Sequence, residues 1–578
     1  MADTDAPTVP PLPSLEDMQH WTWVMGRAQQ MMLEAGFQSA QENRLFPAIP
    51  GFTDRATLAR AQAFWDESFT LWQRFLDPET GPPEESPALA RDKRFKDPAW
   101  RKNPVFDWMR QSYALISDHL LRNVDAVEGL DPRQRDQLRF AARGFLDAVS
   151  PSNFAATNPQ VLEKTIETGG ENLLTGLQHM LSDIAKGQLT HTDPNAFEVG
   201  RNLATTPGKV VKRTPLYELI QYSPTTDTVL VTPLVIFPPW INRYYILDLT
   251  PEKSFIKWAV DQGLTVFVVS WKSADASMAD IVWDDYVEAG QIDAIDTIRD
   301  LLGVDQVHAI GYCVAGTTLA ATLAVLAARG EAEKVASATF FTAQVDFSNA
   351  GELLNFVDDE QLKMIEQLSP EGFLDGRYMA ATFNLLRGRD LIWNYVTNNY
   401  LLGQDYAPFD LLHWNGDTTN LPAKWHLSYL RDLYRDNLLV TPGALSIRGT
   451  PIDLGVIKTP AYIQAGREDH IAPLDSVWKL TDVLQGPVRF VLAGSGHIAG
   501  VVNPPAAGKY QYWTNPKAAA SLADFIAGAT ETKGSWWPDW IAWIRDRDAA
   551  TIAPTGPRQP GKGTLKSIED APGSYVRA

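Results

Sequence analysis

An α/β fold built on a largely parallel sheet is predicted by three observations. Short β-rich apolar runs recur from about Val210 onward, helical segments separate them, and one run stops at a small-residue turn that opens an Ala/Leu-rich helix. The runs are L-V-I-F at 234–237, L-T-V-F-V-V-S-W at 264–271, Q-V-H-A-I-G-Y at 306–312, S-A-T-F-F-T at 337–342, A-Y-I-Q-A at 461–465 and V-R-F-V-L-A at 488–493. Strands alternating with helices imply a parallel sheet covered on both faces.

The earlier part of the chain has a different texture. Residues 1–195 are predicted to form a mostly helical N-terminal domain, with roughly the first 13 residues, rich in Pro and Asp, disordered. Apolar residues at three-to-four spacing mark helices in L-E-D-M-Q-H-W-T-W-V-M-G-R-A-Q-Q-M-M-L-E-A, at 15–35, and from Phe106 to Asn123. The α/β domain then occupies 196–578. Within it the alternation lapses over about 346–440 into a helical, aromatic-rich stretch that includes L-L-R-G-R-D-L-I-W-N-Y-V and W-H-L-S-Y-L-R-D-L-Y, an insertion of the size expected of a lid. W-W-P-D-W-I-A-W at 536–543 precedes a Gly/Pro-rich tail over about 551–578.

Composition narrows the function. With 51 basic against 70 acidic residues, a net charge of -19 and no basic block, the chain is not built to track a nucleic-acid backbone. The start M-A-D-T-D-A-P lacks the features of a signal peptide, and no apolar stretch approaches the ~20 residues of a spanning helix, so a cytosolic chain is expected. A single cysteine forms no intramolecular disulfide, consistent with a reducing compartment.

That cysteine, Cys313, lies in H-A-I-G-Y-C-V-A-G-T-T-L-A, where strand gives way to helix. In the nucleophile elbow of an α/β-hydrolase the nucleophile sits on such a strained turn, and the residues two before and two after it must be small. Gly311 and Ala315 satisfy that rule. The same fold places an acid after a later strand and a histidine after the last. G-R-E-D-H-I-A-P follows the run at 461–465 and supplies Asp469; G-S-G-H-I-A-G-V follows the run at 488–493 and supplies His497. A free thiol, with a pKa of about 8.5, is only slightly ionised at neutral pH, and an adjacent imidazole can take its proton. The carboxylate fixes the imidazole tautomer and stabilises imidazolium.

An oxyanion needs backbone donors, one from the residue after the nucleophile, Val314, and another from the loop after an early strand. In F-P-P-W-I-N-R-Y-Y the prolines lack the donor, leaving Trp240 or Ile241. Among the other histidines, His470 adjoins the acid and is expected on the substrate side or behind it, His308 falls inside a strand as buried structure, and His413 and His426 lie in the lid. No pair has metal-ligand spacing beside acidic or Cys partners, so no metal is expected.

Cysteine in a fold that usually carries serine favours one chemistry. A Cys acyl-enzyme is itself a thioester, so acyl transfer from another thioester is nearly thermoneutral and its activation is kept for attack by an alcohol. At this point the chain closely resembles the polyhydroxyalkanoate synthases, most like the class I type, from about residue 90 to the C-terminus. The resemblance rests on R-F-K-D-P-A-W-R-K-N-P-V-F-D, G-R-N-L-A-T-T-P-G-K-V-V, P-P-W-I-N-R-Y-Y-I-L-D-L, V-S-W-K-S-A-D-A-S-M, Y-C-V-A-G-T, W-N-G-D-T-T-N-L-P, G-R-E-D-H-I-A-P and G-S-G-H-I-A-G-V-V-N-P-P. One departure is Ala315, where the family elbow usually has glycine.

The resemblance implies an α/β-hydrolase fold and a Cys313, Asp469, His497 triad that polymerises (R)-3-hydroxyacyl-CoA, short-chain 3-hydroxybutyryl-CoA foremost, with release of CoA. It implies no cofactor, the CoA thioester being substrate, and as partners the growing polyester, the granule surface, granule-associated proteins and a second copy of the chain. Asp248, Asn242 and Trp271 fall in family-like motifs near strand ends and are candidates for shaping the site. Two other readings stand beside this one. The same triad could serve a thioesterase or polyester hydrolase, and a noncatalytic granule-surface scaffold would use the N-terminal helices alone.

Overall fold

The structure is a computed structural model that describes residues 55–76 and 85–578. The segment expected to be disordered at the start and the helix expected at 15–35 lie outside the described residues. The described chain divides into two compact units. One comprises the N-terminal part to Asp193 together with Arg377–Ala407, and the other comprises Pro194–Gly376 with Pro408–Ala578.

The first unit is helical. Helices Pro104–Asp125, Pro132–Ala148 and Pro159–Glu167 each start at an Asn-Pro or Asp-Pro pair. The side chains of Asn103, Asp131 and Asn158 accept from backbone N–H groups of the first turn, and proline at the first helical position gives up no needed donor. Phe95 and Trp100, both fully buried, pack edge to face at 4.9 Å and form a small core with Leu89.

Residues 377–407 depart from the expected lid. They pack against the helix Glu171–Lys186, where Gly176 lies so close to the Tyr400 carbonyl that a Cβ would come within 1.7 Å of its oxygen. Asn172 Nδ2 donates to the Leu401 carbonyl at 2.8 Å, Tyr400 donates its hydroxyl to Asp183 at 2.7 Å, and a His191 ring nitrogen lies 2.7 Å from the Leu391 carbonyl. Periodicity reports that a segment is helical but not which helix it faces, so this seam carried no signal in one sequence.

The second unit is organised by an eleven-stranded sheet. In chain order its strands are β1 (Gly208–Arg213), β2 (Tyr217–Tyr222), β3 (Leu234–Phe237), β4 (Val266–Trp271), β5 (Val307–Tyr312), β6 (Val335–Phe341), β7 (Ala461–Gly466), β8 (Val488–Ala493), β9 (Gln511–Thr514), β10 (Thr530–Lys533) and β11 (Glu569–Asp570). Across the sheet the order is β10-β9-β8-β7-β6-β5-β3-β4-β2-β1-β11. The six expected runs form the central block, β4-β3-β5-β6-β7-β8, and every pairing within it is parallel. Antiparallel strands extend both sides, so the sheet is mixed rather than wholly parallel. The outermost of them, such as T-E-T-K in β10, are exposed and polar and lack the apolar run that marks a central strand.

The C-terminal part of the chain is built into the core and the sheet. Trp536, Trp537 and Trp540 are fully buried, packed on Phe255, and part of the main core. The Gly/Pro-rich tail belongs to the fold: β11 pairs with β1, Arg558 is buried and donates to the Leu230 carbonyl and Thr265 hydroxyl, and Val576 enters the core.

Gly176→Ala should destabilise the first unit by about 1–3 kcal/mol, the usual cost of overpacking against atoms that cannot move aside. Limited proteolysis should then cut within 377–407 faster than in the unsubstituted chain; an unchanged cleavage rate would contradict the seam.

Candidate active site

The helix Val314–Ala328 is apolar on all sides and buried over almost its whole length, as a helix against the middle of a sheet must be. Cys313 joins it to β5 with φ 53° and ψ −125°, a backbone conformation costly for any side chain. The turn is fixed by Cys313 N–H donating to the Phe341 carbonyl at 2.9 Å and by the Cys313 carbonyl accepting from Gly316 and Thr317 N–H groups. Its tightest point is the contact of Gly311 with Gly316, where a Cβ on Gly311 would stand 2.5 Å from the Gly316 Cα. Ala315 is fully buried, and its carbonyl accepts from Gln291 at 2.9 Å. The extra methyl at the unusual position is therefore accommodated, and the glycine that the elbow requires on the helix side is Gly316.

Register brings the other two groups to the same end of the sheet. β7 and β8 run in parallel with Gly466 opposite Ala493, so the loops that follow them lie side by side. Asp469 Oδ2 stands 2.7 Å from His497 Nδ1, while Asp469 Oδ1 accepts from the Ile471 and Ala472 N–H groups at 2.8 and 2.9 Å. The carboxylate is thus fixed by two backbone donors before it orients the ring. The His497 loop is fixed in turn: Trp536 and Trp537 donate their indole N–H groups to the Gly500 and Val501 carbonyls at 2.7 and 2.9 Å, and Tyr312 donates to the His497 carbonyl at 3.0 Å. These anchors were not singled out from sequence, although the tryptophan pair and the tyrosine beside the nucleophile were in plain view.

Burial alone would depress the imidazolium. The Asp469 carboxylate and the Cys313 sulfur outweigh it, through charge and hydrogen bonding, and hold His497 up at about 10. This value lies above the ordinary 6.5, so the stability contributed by the charged ring is fully present below about pH 6.5 and is lost as the pH rises through about 10. Around the thiol stand Tyr312, Tyr429 and Tyr434, whose hydroxyls are pushed up by burial and further by the Cys313 sulfur. They remain protonated donors. His426, by contrast, is pushed down to about 4 by burial and is neutral, while His308 is occupied by Ser337 Oγ at 2.8 Å.

β3 pairs with β5 so that Phe237 lies opposite Gly311, placing the loop after β3 beside the elbow. Pro238, Trp240 and Arg243 have their carbonyls capped by Trp271 Nε1 at 2.7 Å, Thr419 Oγ1 at 2.7 Å and Trp414 Nε1 at 2.7 Å. Val314, first residue of its helix, has no carbonyl one turn back to receive its N–H. Trp240 is buried and stacks on Tyr286 at 4.0 Å; Ile241 is half-buried.

The remaining candidates separate by role. Trp271 supports the loop through the Pro238 bond. Asn242, at φ 72°, donates its N–H to Thr419 Oγ1 at 2.9 Å and so turns the loop. Asp248 is not a free acid. Its Oδ1 accepts from both the Thr206 and the Ser254 hydroxyls, at 2.5 and 2.6 Å, and burial pushes its carboxyl up against those hydrogen bonds. It braces two loops. His470, beside the acid, is half-buried.

Asp469→Asn removes the largest influence holding the His497 charge. Nitrogen-resolved histidine spectra should show His497 losing its proton at a lower pH than in the unsubstituted chain, and turnover should fall by about two to four orders of magnitude. An unchanged titration would refute the assignment of Asp469 as the orienting acid.

A family model described as "Poly-beta-hydroxybutyrate polymerase (PhaC) N-terminus" matches residues 91–259, and one described as "alpha/beta hydrolase fold" matches 233–504. The chain is 48% identical to a poly(3-hydroxyalkanoate) polymerase subunit PhaC of Rhizobium meliloti, over 90% of this chain and 86% of the relative. It is 45% identical to one of Cupriavidus necator over 89% and 87%, and 37% identical to poly(3-hydroxyalkanoate) polymerase 2 of Ectopseudomonas oleovorans over 84% and 86%. Strand order, elbow and these likenesses over most of both chains agree: the chain belongs to the poly(3-hydroxyalkanoate) polymerase family, acyltransferase-type enzymes on an α/β-hydrolase fold.

Proposed function

We propose that the chain polymerises (R)-3-hydroxyacyl-CoA, with 3-hydroxybutyryl-CoA as the preferred monomer, into polyhydroxyalkanoate through a thioester on Cys313. The observation that carries the reading is the strained cysteine beside a histidine whose charge is upheld by both a carboxylate and the sulfur. The thiol proton resides on His497 as imidazolium. The thiolate adds to the carbonyl carbon of the acyl-CoA, and Val314 N–H with that of Trp240 or Ile241 receives the oxyanion. Collapse expels CoA thiolate, which takes the proton from the imidazolium. A hydroxyl then gives its proton to His497 and attacks the next thioester carbonyl, forming the ester and freeing a thiolate.

Neither step requires a redox group or a metal, so we propose no cofactor. The aromatic surroundings of the nucleophile, with Trp240, Tyr286, Trp425 and Tyr429 all buried and in ring contact, suit a short acyl chain. Granule attachment and self-association are assigned to the first unit. Trp65, Phe69 and Trp72 share one exposed helix face, and Leu174, Leu177 and Leu181 share another, as a helix bound to an apolar surface requires. With one cysteine per chain, any scheme that needs two thiols takes the second from another copy.

Incubation of the full chain with (R)-3-hydroxybutyryl-CoA should release CoA in step with insoluble polyester, with lower turnover on longer acyl chains. Cys313→Ala should abolish both. Free 3-hydroxybutyrate without polymer would identify a thioesterase instead, and polymer formation by Cys313→Ala would exclude the mechanism.

A further inference from the structure

We propose that Arg243, held by residues 574–578, is a positioning residue that sets the oxyanion loop, so that this segment acts on acyl transfer. The inference rests on the reading of the loop after β3 as an oxyanion donor.

Arg243 follows directly on Trp240, Ile241 and Asn242, and its side chain is buried. Its Nε lies 3.2 Å from Asp417 Oδ1, one terminal nitrogen donates to the Tyr575 carbonyl at 3.1 Å, and the other donates to the Ala578 main-chain oxygen at 2.6 Å. A guanidinium engages three acceptors in fixed directions with one rigid group, whereas an ammonium offers only a point charge. Its backbone is gripped as well, by Trp414 Nε1 on its carbonyl.

The residues it grips are themselves anchored. Glu218, on β2 and fully buried, accepts from the Ser574 and Tyr575 N–H groups at 3.2 and 3.1 Å and from the Ser574 hydroxyl at 3.0 Å. Tyr575 donates its hydroxyl to the Thr214 carbonyl at 2.7 Å, and Val576 is buried in the main core. A continuous path of hydrogen bonds therefore runs from β2 through residues 574–578 and Arg243 to the backbone whose N–H groups meet the oxyanion. Asp417 closes the other side, accepting from Tyr245 at 2.8 Å as well as from Arg243. Among the described residues, none of these groups hydrogen-bonds Cys313 or the His497 ring. Loosening the path should displace the oxyanion donor and leave the Cys313–His497 pair intact.

Two reactions of Cys313 separate these roles. Acylation by (R)-3-hydroxybutyryl-CoA passes through an oxyanion, whereas alkylation by iodoacetamide displaces iodide at a saturated carbon and forms none. Arg243→Met, and separately deletion of 574–578, should slow acylation and lower kcat by about 10- to 100-fold, the range expected when a catalytic donor is misplaced or weakened. Alkylation should stay within about twofold of the unsubstituted chain, because it draws only on the thiolate and its imidazolium. Combining the two changes should add little, since both interrupt one path. Arg243→Lys, which keeps the charge and disturbs the fold least, should recover part of the acylation rate.

Equal losses in acylation and alkylation, or multiplicative effects in the double variant, would overturn the proposal in favour of general destabilisation. Unchanged acylation in Arg243→Lys and Arg243→Met would overturn it outright. If the unsubstituted chain itself fails to release CoA from this thioester, the proposed function fails, a result distinct from either.

Discussion

His497 is held between a carboxylate and a sulfur, and each of those three groups sits at the end of a different parallel strand. The interaction is short-ranged, with 2.7 Å between Nδ1 and Asp469, yet its geometry depends on register across β5, β7 and β8. A slip in any of these strands would separate the groups. That dependence explains why so much of the second unit serves the loops at one end of the sheet. Two backbone N–H groups fix the acid, two indoles fix the histidine loop, and a tyrosine hydroxyl bonds the histidine carbonyl. Each support satisfies a buried polar group that would otherwise be costly, so the packing that stabilises the fold also orients the site.

The elbow adds strain to this order. Cys313 adopts a positive φ because Gly311 and Gly316 allow the strand and helix to approach and because the Phe341 carbonyl holds its N–H. The strained turn places Cys313 at the carboxyl end of the central strand β5 and leaves the Val314 N–H at the start of the helix, with no carbonyl one turn back to receive it. Charge is treated in the same way. A buried imidazole would ordinarily be neutral, as His426 is; His497 differs because Asp469 and Cys313 face it.

The central strands, the elbow and the three catalytic candidates were legible in the sequence because each obeys a local rule: an apolar run, a small-residue turn, a polar residue just past a strand. What was not legible depends on contacts between distant segments. Residues 377–407 look like any other amphipathic stretch of the insertion, and only the close approach of Gly176 to Tyr400 reveals where they pack. Asp248 shares a motif with the loop after β3, but its engagement by Thr206 and Ser254 is decided by a hydroxyl 42 positions earlier and another six later. The C-terminal segment has the composition of a loose tail, and its role follows from Glu218 and Arg243, which are far away in sequence.

In the proposed mechanism Cys313 carries the acyl group as a thioester, with His497 handling the proton. The most direct measurement is rapid quenching of the full chain with (R)-3-hydroxybutyryl-CoA, followed by intact-mass and peptide analysis. The account predicts a hydroxyacyl adduct on the peptide containing Cys313, removed by neutral hydroxylamine as a thioester should be. CoA release with the adduct on another residue, or with none at Cys313, would contradict it.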